Sequence, residues 1–301
     1  MAAPIALFAY ARLRHTQRTV AALLQNALAK DSDLIIFSDD AQTIDMQIDV
    51  DEVRAYLITI AGFRSIKIHC RPYNFGLAKS IISGVAEVLN NYERVIVLED
   101  DLETSPFFLT YMNEALEKYA EDDRVASIHG YVYPVKKSLP AAFFMRGADC
   151  WGWATWKRAW AHFNPDGQYL LAELRRKKLI NEFDFNGAYA YSTMLEDHIR
   201  GKNDSWAVRW HASAFLANKL TLYPGRSLIF NIGFDGAGTN CGISNVYDTA
   251  LSATPIDLSL IEVSSSIVAY QAFEDFFRQA QGGLMRKTYC FLIATFRKIA
   301  T

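Results

Sequence analysis

The feature that most constrains the fold lies at residues 94–108, which read R-V-I-V-L-E-D-D-L-E-T-S-P-F-F. Residues 95–98 form an uninterrupted apolar run, as expected of a parallel strand that is buried on both faces. The run stops at three consecutive acids, which are Glu99, Asp100 and Asp101. Ser105 suits the N-cap of a helix and Pro106 its first position, so the acids are predicted to lie at the carboxyl end of a central strand.

Three adjacent carboxylates repel one another, and a divalent cation would relieve that repulsion. Hard oxygen ligands select Mg²⁺ or Mn²⁺, which proteins commonly hold through one or two carboxylates together with the phosphates of a substrate. The pattern therefore predicts a Mn²⁺ or Mg²⁺ site at residues 99–101. A solvated acidic turn is the alternative that the residues alone leave open.

Composition bounds the class of protein. The chain has 301 residues, of which 51% are apolar, enough for the core of one large domain or two interlocked ones. Its net charge of −2 argues against nucleic acid as the main partner. The cysteines are far apart and form no C-x-x-C motif, so neither a zinc site nor a disulfide framework is expected. No signal peptide and no run of ~18 uncharged apolar residues is visible, which predicts a cytoplasmic protein.

Strands and helices alternate along the chain. Strands are predicted at residues 4–10, 33–40, 65–71, 94–98 and 124–131. Helices are predicted at residues 16–28, 51–62, 78–89, 106–120 and 169–185. Because the first four strands each lead into a helix, the sequence predicts an α/β fold with a parallel, Rossmann-like sheet.

Several charged residues follow the predicted strands, where open α/β sheets bind ligands. Arg12 and Arg14 lie in the loop after the first strand and could contact a diphosphate. Asp39 and Asp40 end the second strand, and carboxylates there can accept hydrogen bonds from a ribose or a base. Lys79 lies in the first turn of a helix, where a lysine opposes the helix dipole unless an anion lies nearby, so it either contacts a ligand or is a solvated side chain.

Two later stretches carry further candidates. Residues 149–160 contain four tryptophans, of which Trp151 and Trp153 could form a sugar-stacking platform or belong to the core. Glu196 and Asp197 are predicted to lie on a helix, where they could supply a general base, a metal ligand or surface charge.

The remaining stretches lie towards the C-terminus. Residues 222–242 are rich in glycine and predict a mobile loop, which either closes over a substrate or is a plain connection. Residues 258–301 are predicted to form one or two helices. The segment 284–301 is basic and apolar, so it could lie on the anionic inner face of the cell membrane or dock onto its own domain.

Residues 95–108, together with W-G-W at 151–153 and E-D-H-I-R at 196–200, resemble the GT-A glycosyltransferases. The similarity is greatest to the alpha-mannoside beta-1,2-N-acetylglucosaminyltransferase I family and looser to bacterial family 2 glycosyltransferases. It covers residues 4–243 and implies a GT-A type fold, a Rossmann-like and mostly parallel sheet flanked by helices, with a C-terminal helical extension.

The resemblance also implies roles for individual residues. Asp101 matches the aspartate that binds Mn²⁺, while Glu99 and Asp100 match the acids that contact the sugar nucleotide. Asp40 matches the aspartate that binds uracil. In the same way, Arg12 or Arg14 corresponds to a basic residue near the diphosphate.

The catalytic base is expected in the acidic pair after the tryptophans, where Asp197 gives the best match. An inverting transfer needs a carboxylate that is separate from the metal cluster. Neighbouring residues on a helix point about 100° apart, so only one member of the pair can face the acceptor. Asp197 is the favoured base, with Glu196 as its alternative.

The predicted activity is metal-dependent, inverting transfer of a sugar such as GlcNAc from a UDP-sugar to a saccharide or lipid-linked acceptor. Residues 1–105 would bind the nucleotide sugar, residues 106–257 would bind the acceptor and carry out catalysis, and residues 258–301 would add C-terminal helices. A sugar-1-phosphate nucleotidyltransferase is a second possibility, although residues 9–16 lack its glycine-rich loop. A non-catalytic carbohydrate-binding protein is a third, but it would not need the acidic strand end.

Overall fold

The computed structural model describes residues 2–236 and 244–280. The strands are β1 (Ile5–Ala9), β2 (Asp33–Ser38), β3 (Ser65–Cys70), β4 (Arg94–Glu99), β5 (Leu102–Thr104), β6 (Val125–His129), β7 (Ala142–Arg146), β8 (Trp153–Trp156), β9 (Leu220–Pro224) and β10 (Ile229–Asn231). The helices are α1 (Leu13–Leu24), α2 (Gln47–Leu57), α3 (Leu77–Asn91), α4 (Phe108–Lys118), α5 (Lys157–Trp160), α6 (Gly167–Arg176), α7 (Ile180–Phe183), α8 (Tyr191–Ile199) and α9 (Trp206–Leu216). Residues 267–280 are also helical.

Eight strands form the main sheet, in the order β3-β2-β1-β4-β8-β6-β9-β7. The pairs β3-β2, β2-β1, β1-β4 and β6-β9 are parallel. β8 runs antiparallel to both β4 and β6, and β7 runs antiparallel to β9. The predicted α/β class, with a large and mostly parallel sheet flanked by helices, is confirmed.

The burial of each strand follows its position in the sheet. β1 and β2 are buried at every position, as their unbroken apolar runs require between two layers of helices. β3 lies at the edge and is partly exposed along its length. Helices α6 to α9 enclose a separate apolar cluster, made of Leu170, Leu174, Phe183, Leu195, Val208, Ala212 and Phe215.

The helix predicted at residues 106–120 begins later, at Phe108. Ser105 is not its N-cap residue: the Ser105 hydroxyl accepts from Phe107 N at 3.3 Å, ahead of the first helical residue, and donates to the carbonyl of Ser252 at 2.7 Å. The short strand β5 lies between the acidic turn and the helix, where it pairs with β10. This pairing is long-range, so the local sequence pattern could not predict it.

The charged helix predicted at residues 169–185 is divided into α6 and α7. Lys178 has a left-handed backbone with φ of 58°, and Leu179 N donates to Leu174 O at 2.9 Å. This closed turn ends α6. At its other end, the side chain of Asp166 caps α6 by accepting hydrogen bonds from two backbone amides.

The C-terminal predictions are only partly covered by the structure. The prediction of a loop at residues 222–242 is wrong in part. This stretch contains the end of β9, all of β10 and a 3₁₀ turn at Gly233–Asp235. Residues 258–266 are not helical, whereas 267–280 are. The segment 284–301 lies outside the described residues. None of the helices within the described ranges is long and apolar enough to cross a bilayer.

A buried carboxylate at the start of β2 gives the fold a testable pH dependence. Asp33 accepts hydrogen bonds from Arg64 Nε at 2.8 Å, Ser65 Oγ at 2.6 Å and Tyr92 OH at 3.0 Å. The hydrogen bond from Arg64 is the main reason why the pKa of Asp33 is lowered to about 2. A carboxyl group with a lowered pKa stabilises the folded state only where it is ionised.

We expect Asp33→Asn to reduce the free energy of unfolding by about 2 kcal/mol at pH 7. The difference from wild type should be complete above pH ~4 and should shrink as the pH falls towards 2, because protonation removes the advantage of the ionised group. Urea unfolding at pH 7 and pH 3 measures this, with Asp45→Asn as an exposed control. An equal difference at both pH values would contradict the assignment.

Candidate active site

The carboxyl ends of three adjacent strands bring the sequence-predicted residues together. β1 pairs with β2 on one side and with β4 on the other, so the loops that follow these strands adjoin. Tyr10 N, just after β1, donates to Asp100 Oδ2 at 3.1 Å. The Tyr10 hydroxyl accepts from Gln42 N at 3.0 Å, which ties the same loop to the one after β2. These contacts bring distant parts of the sequence together at one edge of the sheet.

Arg12 joins the acidic turn at this edge. Its Nη2 atom lies 2.5 Å from Asp100 Oδ1 and 2.9 Å from Asp101 Oδ2. Burial alone would lower the pKa of Arg12, but the charges of Asp100 and Asp101 outweigh it and raise that pKa above its ordinary value. Asp100 is nearly buried, with 5% of its side chain exposed, whereas Asp101 has 16% exposed. Asp101 is therefore the more accessible of the two.

Glu99 completes the acidic turn at the end of β4. Its side chain receives no hydrogen bond from the residues that the structure describes. Burial, followed by the charges of Asp101 and Asp100, raises the pKa of Glu99 to about 8. Three acidic side chains thus share a single guanidinium group, and a proton on Glu99, or a cation in its place, relieves their repulsion.

This donor set fits a cation that also binds a ligand. Within residues 2–236 and 244–280, no three acids, histidines or cysteines form a ready-made metal cage. Mg²⁺ and Mn²⁺ need no such cage, because one or two carboxylates and the phosphate oxygens of a substrate suffice. Asp101 and Glu99 are the carboxylates better suited to such a cation, because Asp100 is nearly buried and held by both Arg12 and Tyr10, whereas Asp101 contacts Arg12 alone and is more exposed.

A second chain segment covers the acidic turn. β5, which follows the turn directly, pairs antiparallel with β10, and Ile232 N donates to Asp101 O at 2.9 Å. Gly233 then passes so close that a Cβ atom there would lie 2.3 Å from Asp101 Oδ2. The glycine is required by this close approach. Part of the glycine-rich stretch is therefore fixed against the acids, and residues 237–243 lie outside the described residues.

Gly233→Ala should displace the Asp101 carboxylate, because the added methyl group and Oδ2 cannot occupy the same space. A displacement of about 1 Å at a reacting centre can cost ~10²-fold in rate, and we expect a loss of that order. The measurement is turnover together with Mn²⁺-dependent UDP binding. Gly187→Ala is the control, since nothing lies within 4 Å of its Cβ position; it should lower stability alone. Normal turnover in Gly233→Ala would contradict the close approach.

The loop after β2 contains one structural and one accessible carboxylate. Asp39 accepts three backbone hydrogen bonds, from the amides of Asp40, Phe75 and Gly76, at 2.8–3.0 Å. It is buried and holds the turn before α3. Asp40 pairs with Arg54 at 3.2 Å and keeps 24% of its side chain exposed. Of the two, Asp40 is the one that can contact a ligand directly.

The two outer cations lie at the periphery of this edge. Arg14 is exposed on the first turn of α1, and it is Arg12, not Arg14, that reaches the acidic turn. The Lys79 ammonium group lies 4.3 Å from the centre of the Phe75 ring and 5.2 Å from that of Tyr73. These cation–π contacts hold Lys79 beside the turn that Asp39 organises.

The two candidate tryptophans differ. Trp153 is fully buried and stacks on Trp206 at 5.5 Å, so the prediction of a sugar platform is wrong for this residue. It lies on β8 between β4 and β6, where the core covers both of its faces. Trp151 is only partly buried and meets Phe234 and Tyr247 edge-on, at 5.5 and 5.7 Å. Only Trp151 retains a ring that a ligand could reach.

The structure does not bring Glu196 and Asp197 to the acidic turn. Glu196 pairs with Arg175 at 2.6 Å and Arg200 at 3.3 Å. Asp197 pairs with Lys202 at 3.1 Å. All these cations are well exposed, and no described contact links either acid to residues 99–101. These contacts fit surface charge, which was one of the alternatives to a general base for Glu196 and Asp197.

Sequence reasoning missed Asp149, which precedes the W-G-W motif. Its carboxylate accepts hydrogen bonds from the hydroxyls of Tyr133 at 3.2 Å and Tyr223 at 3.4 Å. The only sequence signal was an acid immediately before the aromatic cluster. Its tyrosine partners come from separate parts of the chain, so the pattern did not connect them.

Comparison with known proteins gives structural similarity only. No family model matches the sequence, and no curated protein matches it. Two structures of S. aureus TarS are similar at 13% and 10% identity, with TM-scores of 0.31 and 0.40. They match 48% and 76% of this chain, which spans 24% and 60% of theirs.

Two further structures contain nucleotide sugars. One is the mannosyltransferase PcManGT from Pyrobaculum calidifontis in complex with GDP-Man and Mn²⁺, at 12% identity and a TM-score of 0.38, covering 72% of this chain and 70% of that one. The other is UDP-glucose pyrophosphorylase complexed with UDP-glucose, at 12% identity and a TM-score of 0.37, covering 74% and 90%.

Proposed function

We propose that the protein is a metal-dependent, inverting glycosyltransferase that uses a UDP-sugar, with UDP-GlcNAc as the first donor to test. The observation that carries the proposal is the acidic turn, where three carboxylates face the single guanidinium of Arg12 at the carboxyl end of a central strand. Such an excess of negative charge suits a divalent cation that in turn binds a diphosphate. The alternative, a solvated acidic turn, would leave these acids more exposed than they are.

The chain's own residues divide the work at this edge. Asp101 and Glu99 would hold Mn²⁺ or Mg²⁺, which stabilises the charge of a departing diphosphate when bound. Arg12 fixes Asp100 and Asp101 in place. Asp40, with the turn that Asp39 holds, would receive the base and ribose of the nucleotide.

The acceptor would enter from the side of Trp151. Its partly exposed ring offers an apolar face of the kind on which sugars stack, and the acceptor would be a saccharide or a lipid-linked sugar. In this proposal residues 1–105 bind the donor and residues 106–257 provide the acceptor side. The main sheet is continuous between them through the pairing of β4 with β8.

The test is incubation of the purified protein with a panel of nucleotide sugars, Mn²⁺ or Mg²⁺, and candidate acceptors. Release of UDP that depends on the metal, together with an acceptor product of inverted anomeric configuration, is the expected result. Production or consumption of pyrophosphate would instead identify a nucleotidyltransferase. Sugar binding without turnover of any nucleotide sugar would identify a carbohydrate-binding protein. Full activity in EDTA would exclude the metal dependence.

A further inference from the structure

Asp149 lies at the same edge of the sheet as the acidic turn. β8 runs antiparallel to β4, with Trp153 opposite Val97. The residues just before Trp153 therefore run beside the residues just after Val97, which are the acids of the turn. The pKa of the Cys150 thiol supports this placement. Burial raises that pKa most, and the charges of Asp149, Glu99 and Asp101 raise it further. Cys150 is thus within electrostatic range of both groups of acids.

The carboxylate of Asp149 is held by neutral donors. Oδ2 accepts from the hydroxyls of Tyr133 and Tyr223, and Oδ1 accepts from Cys150 N at 2.9 Å. Burial raises the pKa of both tyrosines well above the ordinary value, so they remain protonated and continue to donate. Hydrogen bonds of this kind orient a carboxylate without neutralising it.

No cation within the described residues balances this charge. The nearest candidate is His129, whose Nε2 lies 4.0 Å from Asp149 Oδ1. That nitrogen accepts a hydrogen bond from Trp151 N at 3.1 Å, which requires it to be unprotonated, and burial also lowers the pKa of His129. The imidazole is therefore neutral, and no lysine or arginine among the described residues contacts Asp149.

An oriented carboxylate without a counter-ion is costly to keep in a folded protein. Asp149 is also accessible, since 16% of its side chain is exposed. Trp151, the proposed sugar-stacking residue, lies two residues further along the chain. An oriented, unneutralised and accessible carboxylate beside a second group of acids is the arrangement expected of a group that handles protons.

We infer that Asp149, rather than Asp197, is the general base of the transfer; this inference rests on the proposed function. The acceptor hydroxyl oxygen attacks the anomeric carbon of the donor sugar and forms the new glycosidic bond. The bond from that carbon to the diphosphate oxygen breaks, and its electron pair leaves with the diphosphate. The hydroxyl proton moves to the carboxylate of Asp149 and then to solvent. Tyr133 and Tyr223 are positioning residues, because they aim the carboxylate.

The test compares Asp149→Asn and Asp197→Asn, with Asp123→Asn as an exposed control. The kcat of Asp149→Asn should fall by ~10² to 10⁴-fold, while Mn²⁺-dependent UDP binding and the KM for the donor stay near wild type. The other two variants should keep wild-type kcat. A wild-type kcat in Asp149→Asn, or a loss confined to Asp197→Asn, overturns the inference. Loss of UDP binding in Asp149→Asn also overturns it, because the residue would then hold the donor.

Tyr223→Phe keeps the inference testable if Asp149→Asn does not fold. Removing one hydroxyl that orients the carboxylate should lower kcat about tenfold with UDP binding unchanged, and wild-type kcat would overturn the role of Asp149. The two proposals fail in different ways. If the wild-type protein turns over no nucleotide sugar, both fail together. If it transfers sugar and Asp149→Asn does so equally well, only the inference about Asp149 fails.

Discussion

Asp101→Asn should abolish metal-dependent transfer while leaving the fold intact. The amide keeps the shape of the carboxylate but loses the charge that a divalent cation requires. Asp101 is also the accessible carboxylate beside Arg12, with 16% of its side chain exposed. We expect kcat to fall by at least ~10²-fold and Mn²⁺-dependent UDP binding, measured by calorimetry, to be lost.

Glu103→Gln is the matched control for this change. Glu103 lies on β5, two residues beyond Asp101, and pairs with Arg18 at 2.6 Å on the outer side of α1. This variant also removes one negative charge close to the turn in the chain, but it removes no proposed ligand. If the two variants lose activity equally, a general electrostatic effect is responsible and the assignment of Asp101 is wrong.

Arg12→Gln should produce the largest loss of stability among the site variants. Among residues 2–236 and 244–280 it removes the only cation that contacts Asp100, whose side chain is 5% exposed, and it leaves a buried charge uncompensated. Removing one partner of a buried ion pair costs about 3–5 kcal/mol, and we expect the free energy of unfolding at pH 8 to fall by about 3 kcal/mol. Urea unfolding measures this loss directly.

The pH dependence of the Arg12→Gln variant gives a second check. Burial, the largest influence, already raises the pKa of Asp100, and Arg12 opposes that rise. Without Arg12 the acid should take up a proton more readily, so the variant should regain stability as the pH is lowered from 8 to 5. Mn²⁺ should also stabilise the variant more than the wild type. Arg18→Gln, on the same helix but more than half exposed, should have little effect.

The local sequence pattern predicted the part of the fold up to the acidic turn well. β1 to β4 and the helices between them follow the predicted alternation, because β1, β2 and β4 are largely apolar, buried runs, whereas β3 is a partly exposed edge strand. The acids at 99–101 therefore lie at the predicted strand end. Helix bounds differ by a few residues: α1 and α2 begin and end earlier than predicted, and α4 begins two residues later.

The part of the fold beyond the acidic turn could not be predicted in the same way. β8 and β7 join the sheet antiparallel, and no local pattern reveals that direction. The tryptophans were ambiguous because core and ligand sites use the same ring: Trp153 is buried, while Trp151 is not. Asp149 acquires its environment from Tyr133 and Tyr223, which are 16 and 74 residues away in the chain.

The pairing of β5 with β10 also has a mechanical consequence. The segment that ends at Gly233 is attached to the acidic turn by strand hydrogen bonds and by the contact of Ile232 N with Asp101 O. Since β5 follows Asp101 directly in the chain, lifting β10 away from the acidic turn must either break these hydrogen bonds or carry Asp101 along. The position of the carboxylate is thereby coupled to the position of β10.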